Sequence, residues 1–243
     1  MIASFPMYDR PQTRGHYAAL WDGIRARVGG PLPNALTHDE DPWTHWMSAD
    51  LVLSQTCGLP FRARLADQVA LVGTPDYAVD GCPPGYYRSV AVMRRDDGRA
   101  DDLHGLRLAY NDPLSQSGWA AAVDHAGGTT FAGYLQTGSH AASAAAIAED
   151  RADIAYIDAV TWRMIARWDD VAQRLRVVDE TTPTPSLPFI TRAGGPVAEL
   201  ATATRAAIDD LSPSARAATG LQGLVQIPAE SYLAQPIPPK APK

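Results

Sequence analysis

The sequence predicts an α/β protein built as two lobes, the second inserted into the first. Three observations predict it. Strand-like and helix-like runs alternate through most of the 243 residues, the pattern left by helices packed on largely parallel sheets. Four strand-to-helix junctions, at Ser54, Asn111, Thr137 and Asp158, carry short hydroxyl, amide or carboxylate side chains. The segment Thr181-Thr182-Pro183-Thr184-Pro185-Ser186-Leu187-Pro188 then breaks the alternation with a proline-rich crossing, a natural boundary.

In chain order, Ile2-Ala3-Ser4-Phe5 reads as a strand. The helix after it repeats Tyr17, Leu20, Ile24 and Val28 at the three-to-four spacing of a buried stripe and stops at Gly29-Gly30. Asp41-Pro42 is an N-cap followed by a first-turn proline, opening a short helix with Trp43, His45 and Trp46. Asp50 to Leu53 is a short strand running into Ser54-Gln55-Thr56-Cys57-Gly58, Val69 to Val72 is another strand, and Gly73-Thr74-Pro75-Asp76 is a turn. Stiff, aromatic Cys82 to Arg88 continues as Ser89 to Met93, a strand long enough to bridge two lobes.

A charged loop, Arg94 to Asp102, precedes strands at Leu106–Tyr110, Thr129–Phe131, Ile154–Ile157 and Leu175–Val178, with helices between them. Past the proline-rich crossing come a strand, Phe189–Thr191, a helix from Pro196 to about Leu211, and a shorter helix from Ser212. The expected division is residues 1–90 plus 184–243 for lobe 1 and 91–183 for lobe 2. On this reading the chain crosses twice, and the half-proline end, 235–243, is a disordered tail.

The totals exclude several functions. Net charge is −6 and lysine occurs only at Lys240 and Lys243, so no basic block marks a nucleic-acid or anionic-lipid partner. No apolar run is long enough to cross a bilayer. Cys57 and Cys82 match no zinc spacing; they read as a disulfide or as two separate thiols. No cofactor motif is present. No positively charged start leads into an apolar stretch, so an export signal would lie outside this sequence.

The stretch Asn111-Asp112-Pro113-Leu114-Ser115-Gln116-Ser117-Gly118-Trp119 organises the functional reading. First-turn backbone N–H groups carry the positive end of a helix dipole, and a turn of small hydroxyl residues leaves room for an anion there. On the residues alone, Ser115 reads as an N-cap, with Gly118 allowing close packing, or as part of an anion cradle. The other three junctions favour the cradle, because in an open α/β sheet ligands bind at the carboxyl ends of strands.

This arrangement resembles the type II periplasmic binding proteins, and in detail the phosphate/phosphonate ABC-transporter substrate-binding proteins. The likeness rests on Ser115-Gln116-Ser117-Gly118, on Gly138-Ser139-His140 with its Ala-rich helix, and on Ala152-Asp153-Ile154-Ala155-Tyr156-Ile157-Asp158. It implies two α/β sandwich lobes joined by two crossing segments, with a ligand cleft between them. It also implies a monomer that captures phosphate, phosphite or a phosphonate for an ABC permease, in an extracytoplasmic compartment, without a cofactor and without catalysis.

The same resemblance implies the site. Ser115, Gln116, Ser117 and His140 would offer donors to a tetrahedral oxyanion. Asp158 would accept a hydrogen bond from P–OH, which sulfate lacks near neutral pH; its alternative role is an N-cap. Tyr87 on the bridging strand, and Ser54, Gln55, Thr56 and Tyr8 from lobe 1, complete the expected contacts, with Arg88 a further oxyanion partner. The family's first-lobe aromatic is replaced here by Ser54-Gln55-Thr56-Cys57, which leaves the organic half of the ligand open. Two rival readings are a cytosolic small-molecule sensor and an enzyme on the same scaffold, with Cys57 as nucleophile and His45 or His140 as base.

Overall fold

The computed structural model describes residues 1–99 and 103–242; Ala100–Asp102 of the charged loop and Lys243 of the tail lie outside the described residues. The chain folds as two compact units: unit 1 is Met1–Tyr86 with Pro185–Gln235, and unit 2 is Tyr87–Thr184 with the C-terminal segment from Pro236. It therefore passes between units three times, and the last passage is not legible in the sequence.

Unit 1 holds a five-stranded sheet in the order Ile2–Ser4, Leu51–Gln55, Phe189–Arg192, Val69–Asp76, Gly223–Val225. The first two strands are parallel, and Phe189–Arg192 runs antiparallel to both of its neighbours. Trp46, Leu51, Phe61, Leu65, Val69, Ile190, Ile227 and Tyr232 form a core cluster, filled by aromatic and branched side chains from strands and helices alike. The turn expected at Gly73–Asp76 is instead a continuation of the strand Val69–Asp76. Pairing explains why: past Gly73 the strand is held by Gly223–Val225, and a Cβ on Gly73 would stand 2.9 Å from the Leu224 side chain. Glycine is there for close approach, not for a turn.

Unit 2 holds a second sheet in the order Gly133–Gln136, Arg107–Tyr110, Ile154–Asp158, Ser89–Arg94, Leu175–Glu180. Its first three strands run parallel, and the last two pairings are antiparallel. The strand expected at Thr129–Phe131 lies later, at Gly133–Gln136, because Phe131 is drawn into the core cluster around Leu108, Trp119 and Tyr156. Parallel strands end on one side of a sheet, so the helices that follow Tyr110, Gln136 and Asp158 all begin at the same edge. Those helices start at Gln116, His140 and Ala159.

The tail expected to be disordered is instead packed on unit 2. Trp119 Nε1–H donates to the Pro239 carbonyl at 2.8 Å, Tyr110 O–H donates to that of Pro242 at 3.1 Å, and Ala241 packs on the core cluster. Proline-rich composition signals disorder only when nothing nearby can take up the chain. Prolines have little backbone freedom to lose, so such a segment orders readily on a fitting surface. No helix among the described residues is long and apolar enough to cross a membrane.

Candidate functional site

The three helix starts of unit 2 bring Ser115, Ser117, His140 and Asp158 together. Ser115 is the N-cap of the first helix, its Oγ accepting from Gly118 N–H at 2.9 Å. The first turn is widened: the Ser115 carbonyl accepts from both Trp119 N–H at 3.2 Å and Ala120 N–H at 3.0 Å. Such π-type turns recur at functional sites because they re-aim the side chains at a helix start. A Cβ at Gly118 would fall 1.8 Å from Asn111 Oδ1, so any other residue there must displace that side-chain amide.

Backbone bonds lock the second turn to the first. Thr137 and Gly138 N–H groups donate to the Tyr110 and Asn111 carbonyls, each at 2.9 Å. Gly138 has φ +87°, a left-handed conformation that suits glycine. Ser139 then caps the next helix through Ala142 N–H at 3.1 Å, which leaves His140 as its first residue. The third junction follows the same rule. Asp158 Oδ1 accepts from Thr161 N–H at 2.9 Å, and Oδ2 accepts the Thr161 hydroxyl.

Within this frame Ser117 Oγ lies 2.8 Å from His140 Nε2 and 3.5 Å from Ser115 Oγ. Asp158 Oδ2 stands 3.7 Å from the same Nε2. Ser115, Gln116, Ser117 and Asp158 are all buried. Burial pushes the His140 imidazole below its usual pKa, and the Asp158 carboxylate opposes that push only in part. His140 is thus neutral near pH 7, and its approach to Asp158 is a long polar contact, not an ion pair. With the proton on Nε2, the ring donates toward Ser117, and the Ser117 hydroxyl keeps its own proton to give. Buried Nδ1 has no partner among the described residues; as a bare lone pair it costs less than an unpaired N–H would.

Serine, histidine and aspartate so close together invite comparison with a nucleophile relay. The geometry differs, because a relay needs the carboxylate on the nitrogen opposite the hydroxyl. Here both meet Nε2 while Nδ1 is left bare. In unit 1 both ring nitrogens of His45 are engaged, Nδ1 with Ser4 Oγ and Nε2 with Glu40 Oε2, each at 3.0 Å. Cys57 and Cys82 are not joined in a disulfide.

The remaining expected residues lie as follows. Tyr87 is buried at the start of unit 2. Arg88 is ion-paired with Glu180. In unit 1, Ser54 Oγ meets Ser4 Oγ at 2.8 Å, and Gln55 Nε2 donates to Tyr77 Oη and the Leu187 carbonyl. Gln55 Oε1 and Thr56 Oγ1 are buried with no partner among the described residues. Tyr8 is buried edge-on against Tyr77, ring centroids 5.0 Å apart.

Sequence reasoning misses two supports. Ser89 Oγ–H donates to the Ser117 carbonyl at 3.0 Å, and Ser89 is the register partner of Asp158. Only long-range antiparallel pairing brings it there, so no local signal could show it. Asn111, whose side chain fills the space over Gly118, opens the same junction stretch and could have been found from the glycine.

A family described as ABC-transporter phosphonate periplasmic substrate-binding protein matches residues 49–230. No curated protein matches the chain. Among solved structures, a binding-protein component of an ABC phosphonate transporter from Pseudomonas aeruginosa aligns with a TM-score of 0.70 at 13% identity, covering 96% of this chain and 83% of that one. A Prochlorococcus marinus protein solved with methylphosphonate gives 0.68 at 14% identity over 95% and 94% of the two chains. A Xanthomonas citri protein solved with ATP gives 0.67 at 17% identity over 96% of each. The fold is that of the type II periplasmic binding proteins.

Proposed function

We propose that this chain, which belongs to the periplasmic phosphonate substrate-binding family of ABC transporters, captures a small phosphorus oxyanion for uptake: phosphate, phosphite or a phosphonate. The observation that carries the proposal is the convergence of Ser117 Oγ, His140 Nε2 and Asp158 Oδ2 at the shared edge of three helix starts.

The chemistry follows from the protonation states. First-turn N–H groups and the serine hydroxyls donate to two oxygens of a tetrahedral anion, and neutral His140, by donating to Ser117 Oγ, leaves that hydroxyl's proton for the guest without adding charge. Asp158 repels a fully ionised group but accepts a hydrogen bond from P–OH. Sulfate has no proton to give near neutral pH, so it would leave two acceptors facing each other, at a cost of about 1–3 kcal/mol. The carboxylate therefore selects for a guest that still carries a proton.

A thermal-shift panel of phosphate, phosphite, methylphosphonate and sulfate tests this. A ligand at a hundred times its Kd stabilises the native state by about 2.7 kcal/mol. At least one phosphorus oxyanion is expected to raise the unfolding midpoint while sulfate leaves it unmoved, and Asp158→Asn is expected to narrow that difference. A midpoint indifferent to every phosphorus oxyanion, or raised equally by sulfate, overturns the assignment.

A further inference from the structure

We propose that unit 2 carries a polyproline-II recognition groove built on Tyr110 and Trp119, and that the chain's own C-terminal segment is its resident ligand. The sequence prepares the segment. In Pro236-Ile237-Pro238-Pro239-Lys240-Ala241-Pro242 each proline fixes φ, and each residue before a proline is driven toward the extended polyproline region. Such a helix turns once every three residues and has no internal hydrogen bonds, so its carbonyls stand free as acceptors.

The structure shows that three-residue period twice. Pro238 and Ala241 are half-buried, while Ile237, Pro239, Lys240 and Pro242 between and beside them are exposed. The two carbonyls that accept from the protein, those of Pro239 and Pro242, are also one turn apart. One edge of the segment thus meets unit 2 along its length.

The surface beneath is complementary in kind. The ring centroids of Tyr110 and Trp119 lie 5.2 Å apart with the rings tilted, and those of Trp119 and Tyr134 lie 5.9 Å apart edge-on, giving a run of contiguous aromatic rings. The indole N–H and the phenol O–H stand on that run and donate outward. A ligand poor in N–H groups and rich in carbonyls needs this combination, which is how aromatic-lined grooves read proline-rich peptides. The recognised unit is Pro239-Lys240-Ala241-Pro242, with small Ala241 seated against the core.

The lysine content supplies the assay. Lys240 and Lys243 are the chain's only lysines, so a lysine-specific endoproteinase has one internal bond to cut in the 243-residue protein, after Lys240. A docked segment cannot enter the protease, and cleavage then follows the released fraction. Cleavage is expected to be at least about tenfold slower than in a free peptide of residues 235–243. Tyr110→Phe, which keeps the ring and removes only the donor, should speed it about fivefold with a near-unchanged unfolding midpoint. Replacing Pro238 and Pro239 by glycine should speed it further, each rate being compared with that of the matching free peptide. Cleavage as fast as in the free peptide, or slow cleavage indifferent to both sets of substitutions, overturns the proposal.

Discussion

Asp153 and Asp158 flank the strand that runs from Ile154, one just before it and one at its end, and both are almost wholly buried, at 2% and 3% exposure. Their surroundings differ in kind. Asp153 is met by cations: Arg107 Nε at 2.8 Å, Arg99 Nη2 at 2.9 Å and Arg94 Nη2 at 3.1 Å, with Arg107 N–H at 2.8 Å. The Arg107 guanidinium, joined by the other two, holds the Asp153 carboxyl far below the usual carboxylate range despite burial. The partners of Asp158 include a threonine hydroxyl and a backbone N–H, with a neutral imidazole nearby. The amino end of the strand is a network of charges in which Asp97 and Asp150 share the same three arginines. The carboxyl end is buried and polar, with neutral donors supplied by its helix starts. Burial alone does not mark a ligand site; burial among neutral donors, where helix starts meet, is the more telling sign.

The largest expected effect comes from the charged end. Asp153→Asn takes from three guanidinium groups the buried counter-charge they share, leaving them only Asp97 and Asp150, and should destabilise the fold by about 3 kcal/mol in urea denaturation. That is the low end for a broken buried pair, because Arg99 and Arg107 still reach water. Since the native pKa is depressed, this contribution is present above about pH 4 and fades as acid protonates the carboxyl. Affinity for the best ligand of the panel should stay within about twofold. A large loss of affinity would show the two ends to be coupled and break the contrast.

The carboxyl end should respond the other way. Ser117→Ala removes a hydroxyl proposed to face the anion and should weaken binding by roughly 1.5–3 kcal/mol, read by titration calorimetry, while moving the unfolding midpoint little. An unchanged affinity would take Ser117 out of the site. His140 sharpens the same contrast through pH. Its native pKa lies below that of the unfolded chain because burial penalises the imidazolium. Below about pH 6.5 the unfolded state takes up a proton that the native state refuses, so stability falls with falling pH. His140→Gln should flatten that part of the decline between pH 7.5 and 5.5. An identical slope in the variant would place the decline on other groups.

Much of this is legible in the chain. The alternation of strands and helices points to the fold class, and short polar residues mark the helix starts at which Ser115, Ser117, His140 and Asp158 stand. Local rules find those helix starts because each cap lies beside its own helix, while the ligand roles of His140 and Asp158 come from the family resemblance. What the sequence hides is set by distant partners. Gly73 and Pro75 look like a turn until Leu224 is seen to press on that strand. The tail looks disordered because Trp119 and Tyr110 are far away in sequence. Asp153 stands out in sequence only as part of a family pattern, and its three arginines come from separate positions along the chain.

The smallest effect tests the junction of unit 1, which looks like the unit 2 junctions in sequence. Ser54 ends in a relay of its own: its Oγ meets Ser4 Oγ at 2.8 Å, Ser4 meets His45 Nδ1 at 3.0 Å, and His45 Nε2 meets Glu40 at 3.0 Å. Ser54 is fully buried, and its hydroxyl is committed within the unit. Ser54→Ala removes the neutral hydrogen bond to Ser4 and a long one to the Gln55 carbonyl, while Ser4 keeps His45 as a partner, so the loss of stability should be on the order of 0.5 kcal/mol. Ligand affinity should not change, in contrast to Ser117→Ala. If both serines cost affinity alike, a hydroxyl at a strand end would be a ligand contact wherever it occurs in this fold. If only Ser117 does, what separates the two is where the hydroxyl is committed: Ser54 to a neighbouring serine, Ser117 beside a neutral imidazole that leaves its proton available to a guest.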